Sequence, residues 1–253
     1  MRFSFLLLTA PLLLLAACGR TPATAEAPAI VATAPGTSPA VADYLKALAE
    51  VEKSASPVSL EGLFEKAEAA QAALMSITGE EAALERYSAA EFTTLQAQLR
   101  GLTLHRELDI YAQPDPPFFL ALAKAHGLPG DKAFFTQYAA TWGPDLVPIY
   151  LKLRPQPTPC VRFGEGRIAP LYADWNAFAT QYPAAYAKHA AQMLADLEEA
   201  LALGTCACDG IESVRTEQAD FLKEFPNAAK APEITARREQ LARDPDVLPV
   251  NCR

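Results

Sequence analysis

Histidine is scarce. The 253-residue chain holds three, His105, His126 and His189, on separate stretches without metal-ligand spacing. No G-x-S-x-G, phosphate-binding loop or H-E-x-x-H occurs, so the common signatures of serine hydrolysis, nucleotide binding and zinc proteolysis are missing. Positive charge is in deficit, with 22 Lys+Arg against 30 Asp+Glu and a net charge of −8. A negative body has no electrostatic footprint for nucleic acid and no polybasic attraction to anionic lipid. Val, Ile and Thr are few outside loops while Ala is abundant, which favours helix over sheet.

What is present begins with a leader, "MRFSFLLLTAPLLLLAACGR": one Arg, an apolar run, then small residues before Cys18. That is the layout of a secretory signal, too short and wrongly flanked to remain as a spanning helix. The ending Leu15-Ala16-Ala17-Cys18 resembles the lipobox of bacterial lipoproteins. The resemblance implies cleavage after residue 17 and acylation of Cys18 on its sulfur and its amine. It also implies, from Gly19, an outer-membrane location facing the periplasm. Several acyl chains at roughly 0.8 kcal/mol per buried methylene make a durable anchor. Residues 18–38, rich in Pro, Ala and Thr with almost no charge, read as a tether that cannot bury enough surface to fold.

The body is expected to be all-α, built of helical hairpins. Residues 39–143 form an N-terminal helical subdomain. Ser38-Pro39 opens a first helix with Val41, Tyr44, Leu45, Leu48 and Val51 on one stripe, and a second starts near Ser59 with Leu60, Leu63, Phe64, Ala67 and Leu74. Thr78-Gly79-Glu80-Glu81 has capping-box spacing before Leu84, Phe92, Leu95 and Leu99. Residues 101–114 fit either a continued helix or an extended run. Asp115-Pro116 starts another helix, closed by Gly127, and a further one covers about residues 130–141. Residues 144–169, rich in Pro and Gly, read as an irregular connector.

The segment 170–253 repeats itself. Leu171, Trp175, Phe178, Tyr182 and Pro183 are matched at a constant offset by Val214, Gln218, Phe221, Phe225 and Pro226. Each set is one helical face stopped by proline and followed by a second helix, which predicts tandem helical hairpins. The phrase "FLKEFPNAAKAPEITARREQL" resembles the tetratricopeptide-type hairpins of periplasmic assembly proteins, and the resemblance implies a groove that docks a protein partner.

Once Cys18 is lipidated, Cys160, Cys206, Cys208 and Cys252 remain, and tandem hairpins gather them at one end of the stack. In an oxidising compartment they favour disulfides over a zinc or redox site, because Cys-x-Cys is a poor match to structural zinc spacing. Cys206 and Cys208 are poorly placed to join each other, so each takes one outer partner, Cys160 or Cys252, with the choice open.

Glu107, Asp109 and Asp115 lie close in sequence near aromatic residues and raise paired-carboxylate glycan hydrolysis. A capping role for Asp115 and a generally acidic surface account for them better. Trp142, Tyr150, Tyr172 and Trp175 surround the connector as a possible partner-binding face, with core packing the favoured role. No residue is assigned a catalytic role, and no metal, cofactor or nucleic acid is expected. The expectation is a membrane-anchored, non-catalytic interaction module of the cell envelope. An immunity lipoprotein that neutralises an envelope-attacking enzyme, or a glycan-acting enzyme, is the alternative.

Overall fold

A computed structural model describes residues 38–78, 81–106, 110–143, 146–153, 159–204 and 206–244. The leader, Cys18, the tether up to residue 37, Glu107, Asp109 and Cys252 lie outside the described residues. Among those described, helices dominate and the strands form three small antiparallel pairs.

The local caps read from the sequence set the first elements. Helix α1 (Pro39–Lys53) is capped by Ser38, whose Oγ accepts from Val41 N at 3.2 Å, and it packs on α2 (Glu61–Leu74). The chain then forms a short ladder, β1 (Ile77–Thr78) with β2 (Glu81–Ala82). This corrects the capping-box expectation at Thr78: Thr78 and Glu81 are ladder partners. The same spacing recurs at Ser88 and Glu91, directly before α3 (Ala89–Gln98), and there both reciprocal hydrogen bonds form. Residues 101–114, readable either way, form a hairpin of β3 (Leu102–Arg106) and β4 (Ile110–Pro114). Its period is two: Leu102, Leu104 and Ala112 are buried, while the Thr103–Gln113 and His105–Tyr111 pairs share the other face. Gly101, in the left-handed region at φ +76°, makes the sharp entrance to β3.

Helices α4 (Pro116–His126) and α5 (Pro129–Thr141) pack as a pair. Asp115 is the cap of α4, accepting from Phe118 N, the role its place before Pro116 favours. The connector is irregular apart from β5 (Leu151–Lys152) and β6 (Cys160–Val161). Beyond it lie α6 (Ile168–Gln181) paired with α7 (Ala187–Leu203), and α8 (Ile211–Glu224) paired with α9 (Ala231–Arg243).

The repeat read in the sequence is real down to backbone geometry. Helices α6 and α8 end at Tyr182 and Phe225 with φ/ψ of −128°/61° and −122°/62°. The one polar mismatch in the stripe, Trp175 against Gln218, does equivalent work. Trp175 Nε1 donates to Thr141 Oγ1 at the end of α5, and Gln218 Nε2 donates to Leu201 O near the end of α7.

Packing crosses the connector, and the described residues belong to one compact unit, Thr33–Arg253. Phe64 sits in a cage of Phe119, Phe134, Phe135, Tyr138, Tyr186 and His189, mostly edge to face. Phe134 stacks on Tyr186 at 3.7 Å. Tyr186 is left-handed at φ 50°, a costly conformation for a bulky residue. Three anchors hold it: Phe134, the Glu61 carboxylate on its N–H, and Asp131 on its hydroxyl.

The starts of α2, α6, α7 and α9 have no local side-chain cap. Each receives a carboxylate from a remote helix instead. Asp131 accepts from Leu60 N, Glu217 from Ile168 N, Glu61 from Tyr186 N and Glu198 from Lys230 N. Glu217 also accepts from the N–H groups of Gly164 and Gly166, so the Phe163-Gly164-Glu165-Gly166 turn wraps its carboxylate. Negative charge against the positive ends of four helices adds to those hydrogen bonds.

Burial raises the phenol pKa of Tyr44, Tyr138, Tyr150, Tyr172 and Tyr186, to about 12 for Tyr150, with carboxylates Glu198 and Asp131 reinforcing it at Tyr172 and Tyr186. A raised acid pKa favours the protonated phenol in the fold. That stabilisation is complete below the ordinary phenol value of ~10 and is lost as pH rises through the folded values. Alkaline titration followed by ultraviolet phenolate absorbance and circular dichroism is therefore expected to show these five tyrosines ionising together with loss of helix above pH ~10. Gradual ionisation in a still-helical protein would contradict the buried placements.

Candidate functional site

Five elements converge on a cleft of about 250 Å³. Helix α2 supplies Phe64, Glu68 and Gln71, and α7 supplies His189, Gln192 and Met193, each at helical spacing along one face. Helix α5 adds Phe134 and Tyr138 and ends at Trp142, β4 adds Gln113 and Pro114, and α6 adds Trp175. A second cleft of about 250 Å³ lies against Thr103 and His105 of β3, Asp115, Gly143 and Leu146. Trp142 lines both. Its position is fixed by a tight return of the chain: Gly143 N donates to Val147 O and Ile149 N to Thr141 O, with Leu146 left-handed at φ 53°.

The polar groups here are unusual for the molecule. The His189 Nε2 atom lies 2.9 Å from both oxygens of Glu68. The nitrogen facing a carboxylate carries a proton, so Nδ1 is an acceptor in the neutral ring and a donor in the cation. Nδ1 is buried without a partner, as are Gln113 Nε2, Trp142 Nε1 and His105 Nε2. The Gln113 amide sits beside the Tyr138 phenol, where it offsets part of the burial effect, but it does not reach hydrogen-bonding geometry. Seven buried side-chain polar atoms lack a partner among the described residues, and four belong to residues lining these two clefts. Buried polar groups are nearly always satisfied, so such a concentration marks a place where something else completes the bonding.

The four aromatic residues weighed as a partner-binding face do not share one, and core packing, the favoured role, holds for Tyr150, Tyr172 and Trp175. Trp142 lines both clefts, and Trp175, 1% exposed, forms part of the wall of the first. Tyr172 is buried against Phe221 and Phe225 and donates to Glu198 Oε1 at 2.7 Å, and Tyr150 is buried in the connector. Both tyrosines serve packing, because each has its ring enclosed. His189, in the sequence only one of three histidines on separate stretches, is a site residue that sequence reasoning misses. Its sequence signal was a pair of polar edges, Glu68 and Gln71 beside the α2 stripe, His189 and Gln192 beside that of α7. Their meeting spans 121 residues and was not legible.

Three of the four cysteines, Cys160, Cys206 and Cys208, lie within the described residues, and they meet beside β6. Cys160 and Cys208 form a disulfide, and Cys206 is also disulfide-bonded. Ala207 bridges Val161 in parallel, with Val161 N donating to Cys206 O and Cys208 N to Val161 O. The Cys-x-Cys stretch thus lies along β6 as a short extra strand. Among the described residues no group of three or more His, Cys, Asp or Glu is placed to hold a metal, and no helix is long and apolar enough to cross a membrane.

A shallow depression at the second hairpin is lined by Leu222, Pro226, Ala231, Pro232 and Thr235. Its one side-chain hydroxyl, on Thr235, donates to Ala231 O and keeps only its acceptor capacity. No family model, curated protein or solved structure matches this chain, so the chemistry of the Trp142 clefts carries the functional reading.

Proposed function

We propose that this chain is a lipid-anchored, non-catalytic binding protein of the bacterial cell envelope, held by acylated Cys18 at the outer membrane and facing the periplasm. It docks an envelope partner at the clefts divided by Trp142. The observation that carries the reading is the cluster of unpartnered buried polar atoms around an aromatic floor. The leader and lipobox support the anchor, and the disulfides suit an oxidising compartment. The His189–Glu68 pair resembles the base and orienter of a hydrolytic site, but no Ser, Thr or Cys lines the same cleft, so binding accounts for the arrangement better than catalysis.

Two measurements test this. Cells fed labelled palmitate are expected to label the wild-type chain and not Cys18→Ser. Crosslinking in native cells, followed by mild solubilisation, is expected to recover defined envelope-assembly or secretion components with wild type and to lose them with Trp142→Ala. Recovery of a basic toxin, or of bystanders alone, would remove the proposal.

A further inference from the structure

We infer that the two clefts on either side of Trp142 form one site for a neutral saccharide chain of at least two sugar units. The inference names the chemical group that the docked envelope partner presents to these clefts, and it rests on the proposed binding function for the cellular setting.

Charge narrows the ligand first. No Lys or Arg lines either cleft, while Glu68 and Asp115 do, so an anion finds no fixed countercharge and meets two carboxylates. Those carboxylates are already engaged, Glu68 by His189 and Asp115 by Phe118 N, so a cation gains little. A neutral ligand remains.

Its polarity follows from the unpartnered atoms. The Trp142 Nε1 and Gln113 Nε2 groups are donors that need acceptor oxygens. The His189 Nδ1 atom is the third unpartnered group, an acceptor when the ring is neutral and a donor when it is charged. Hydroxyl groups, which donate and accept at one atom, satisfy both kinds of wall. Gln113 is 8% exposed, so its donor is held in place by packing, whatever the solvent does.

Shape completes the assignment. The flat C–H faces of a pyranose ring pack on aromatic surfaces, and the half-buried Trp142, which lines both clefts, provides one. Each cleft, at about 250 Å³, is below the size usual for a drug-sized ligand and suits one ring. Two such volumes sharing Trp142 suit consecutive units of a chain. A peptide would be gripped along its backbone by main-chain groups, whereas these clefts present side-chain tips.

The chain carries its own reporter. Its two tryptophans, Trp142 and Trp175, both line the first cleft. Full-length protein purified in a sugar-free detergent would be titrated with an N-acetylglucosamine tetramer, maltotetraose and tetraalanine, following tryptophan emission. At least one oligosaccharide is expected to give a saturable shift, with the corresponding monosaccharide much weaker. Gln113→Leu and Trp142→Phe are each expected to weaken that binding about tenfold, with the thermal transition unchanged for at least one of them. No response to either oligosaccharide at millimolar concentration, or saturation by tetraalanine alone, would overturn the assignment. Oligosaccharide binding without any crosslinked envelope component would instead count against the proposed docking function and leave the saccharide site standing.

Discussion

Asp131→Ala is expected to be among the most destabilising single substitutions in this protein, by about 3–5 kcal/mol. The carboxylate is 3% exposed and joins three parts of the chain. Its Oδ1 accepts from Leu60 N at 2.9 Å and from the Tyr186 hydroxyl at 2.7 Å, and its Oδ2 accepts from Leu128 N at 2.8 Å. Truncation strands the starts of α2 and α5 and the phenol that helps hold Tyr186 in its left-handed conformation. Each buried donor left without a partner costs ~1–3 kcal/mol, reduced at Leu128 by its exposure. For a body of this size the loss corresponds to a fall in Tm on the order of 10 °C. Asp131→Asn keeps one oxygen but turns an N–H₂ toward the other donors, so it should recover only part of the loss. Thermal melts of both variants, monitored by circular dichroism, check the ordering. If Asp131→Ala melts within a degree or two of wild type, the remote cap contributes nothing.

Removing the Cys160–Cys208 bridge has an effect of similar size by a different route. The two cysteines are 48 residues apart in sequence, and releasing a loop of that length returns about 4 kcal/mol of conformational freedom to the unfolded chain. The variant should be double, Cys160→Ala with Cys208→Ala, because a lone Cys208 beside Cys206 would invite exchange. A urea midpoint lowered accordingly, with little change in slope, is the expected result. Peptide mapping without reductant should yield one linked pair containing Cys160 and Cys208, and a second containing Cys206. The expectation from the sequence gives Cys252 as that second partner. Recovery of Cys160 linked to Cys206 would refute the pairing.

Much of the fold was legible because its signals are local. Ser38-Pro39 and Asp115-Pro116 cap the helices that follow them, and each side-chain oxygen needs to reach only three residues ahead. The tandem hairpins of the C-terminal part showed as one apolar face repeated, down to matching stops at Tyr182 and Phe225. Where two local patterns competed, the sequence alone misled. Thr78 and Ser88 both begin an S/T-x-x-E phrase, and a β-ladder claims the first. For residues 101–114 helix and strand propensities were balanced. The hairpin won by burying Leu102, Leu104 and Ala112, which pack with α2 and its neighbours.

The site was less legible, since the first Trp142 cleft alone draws its walls from five elements and its Glu68–His189 pair spans 121 residues. Glu68 and His189 looked like polar edges of two separate stripes until α2 and α7 were brought together. Aromatic spacing suggested Tyr150 and Tyr172 for the same face as Trp142, and burial took both into the core.

The amino-acid sequence by itself determined the helical class, the local caps and the repeated hairpins, because periodicity and short-range hydrogen bonding act within a few residues. Tertiary structure alone decided which carboxylate caps which remote helix, which cysteine takes Cys160, and which polar atoms are left unpaired around Trp142. Those outcomes depend on distances between segments tens to more than a hundred residues apart, and only packing sets such distances.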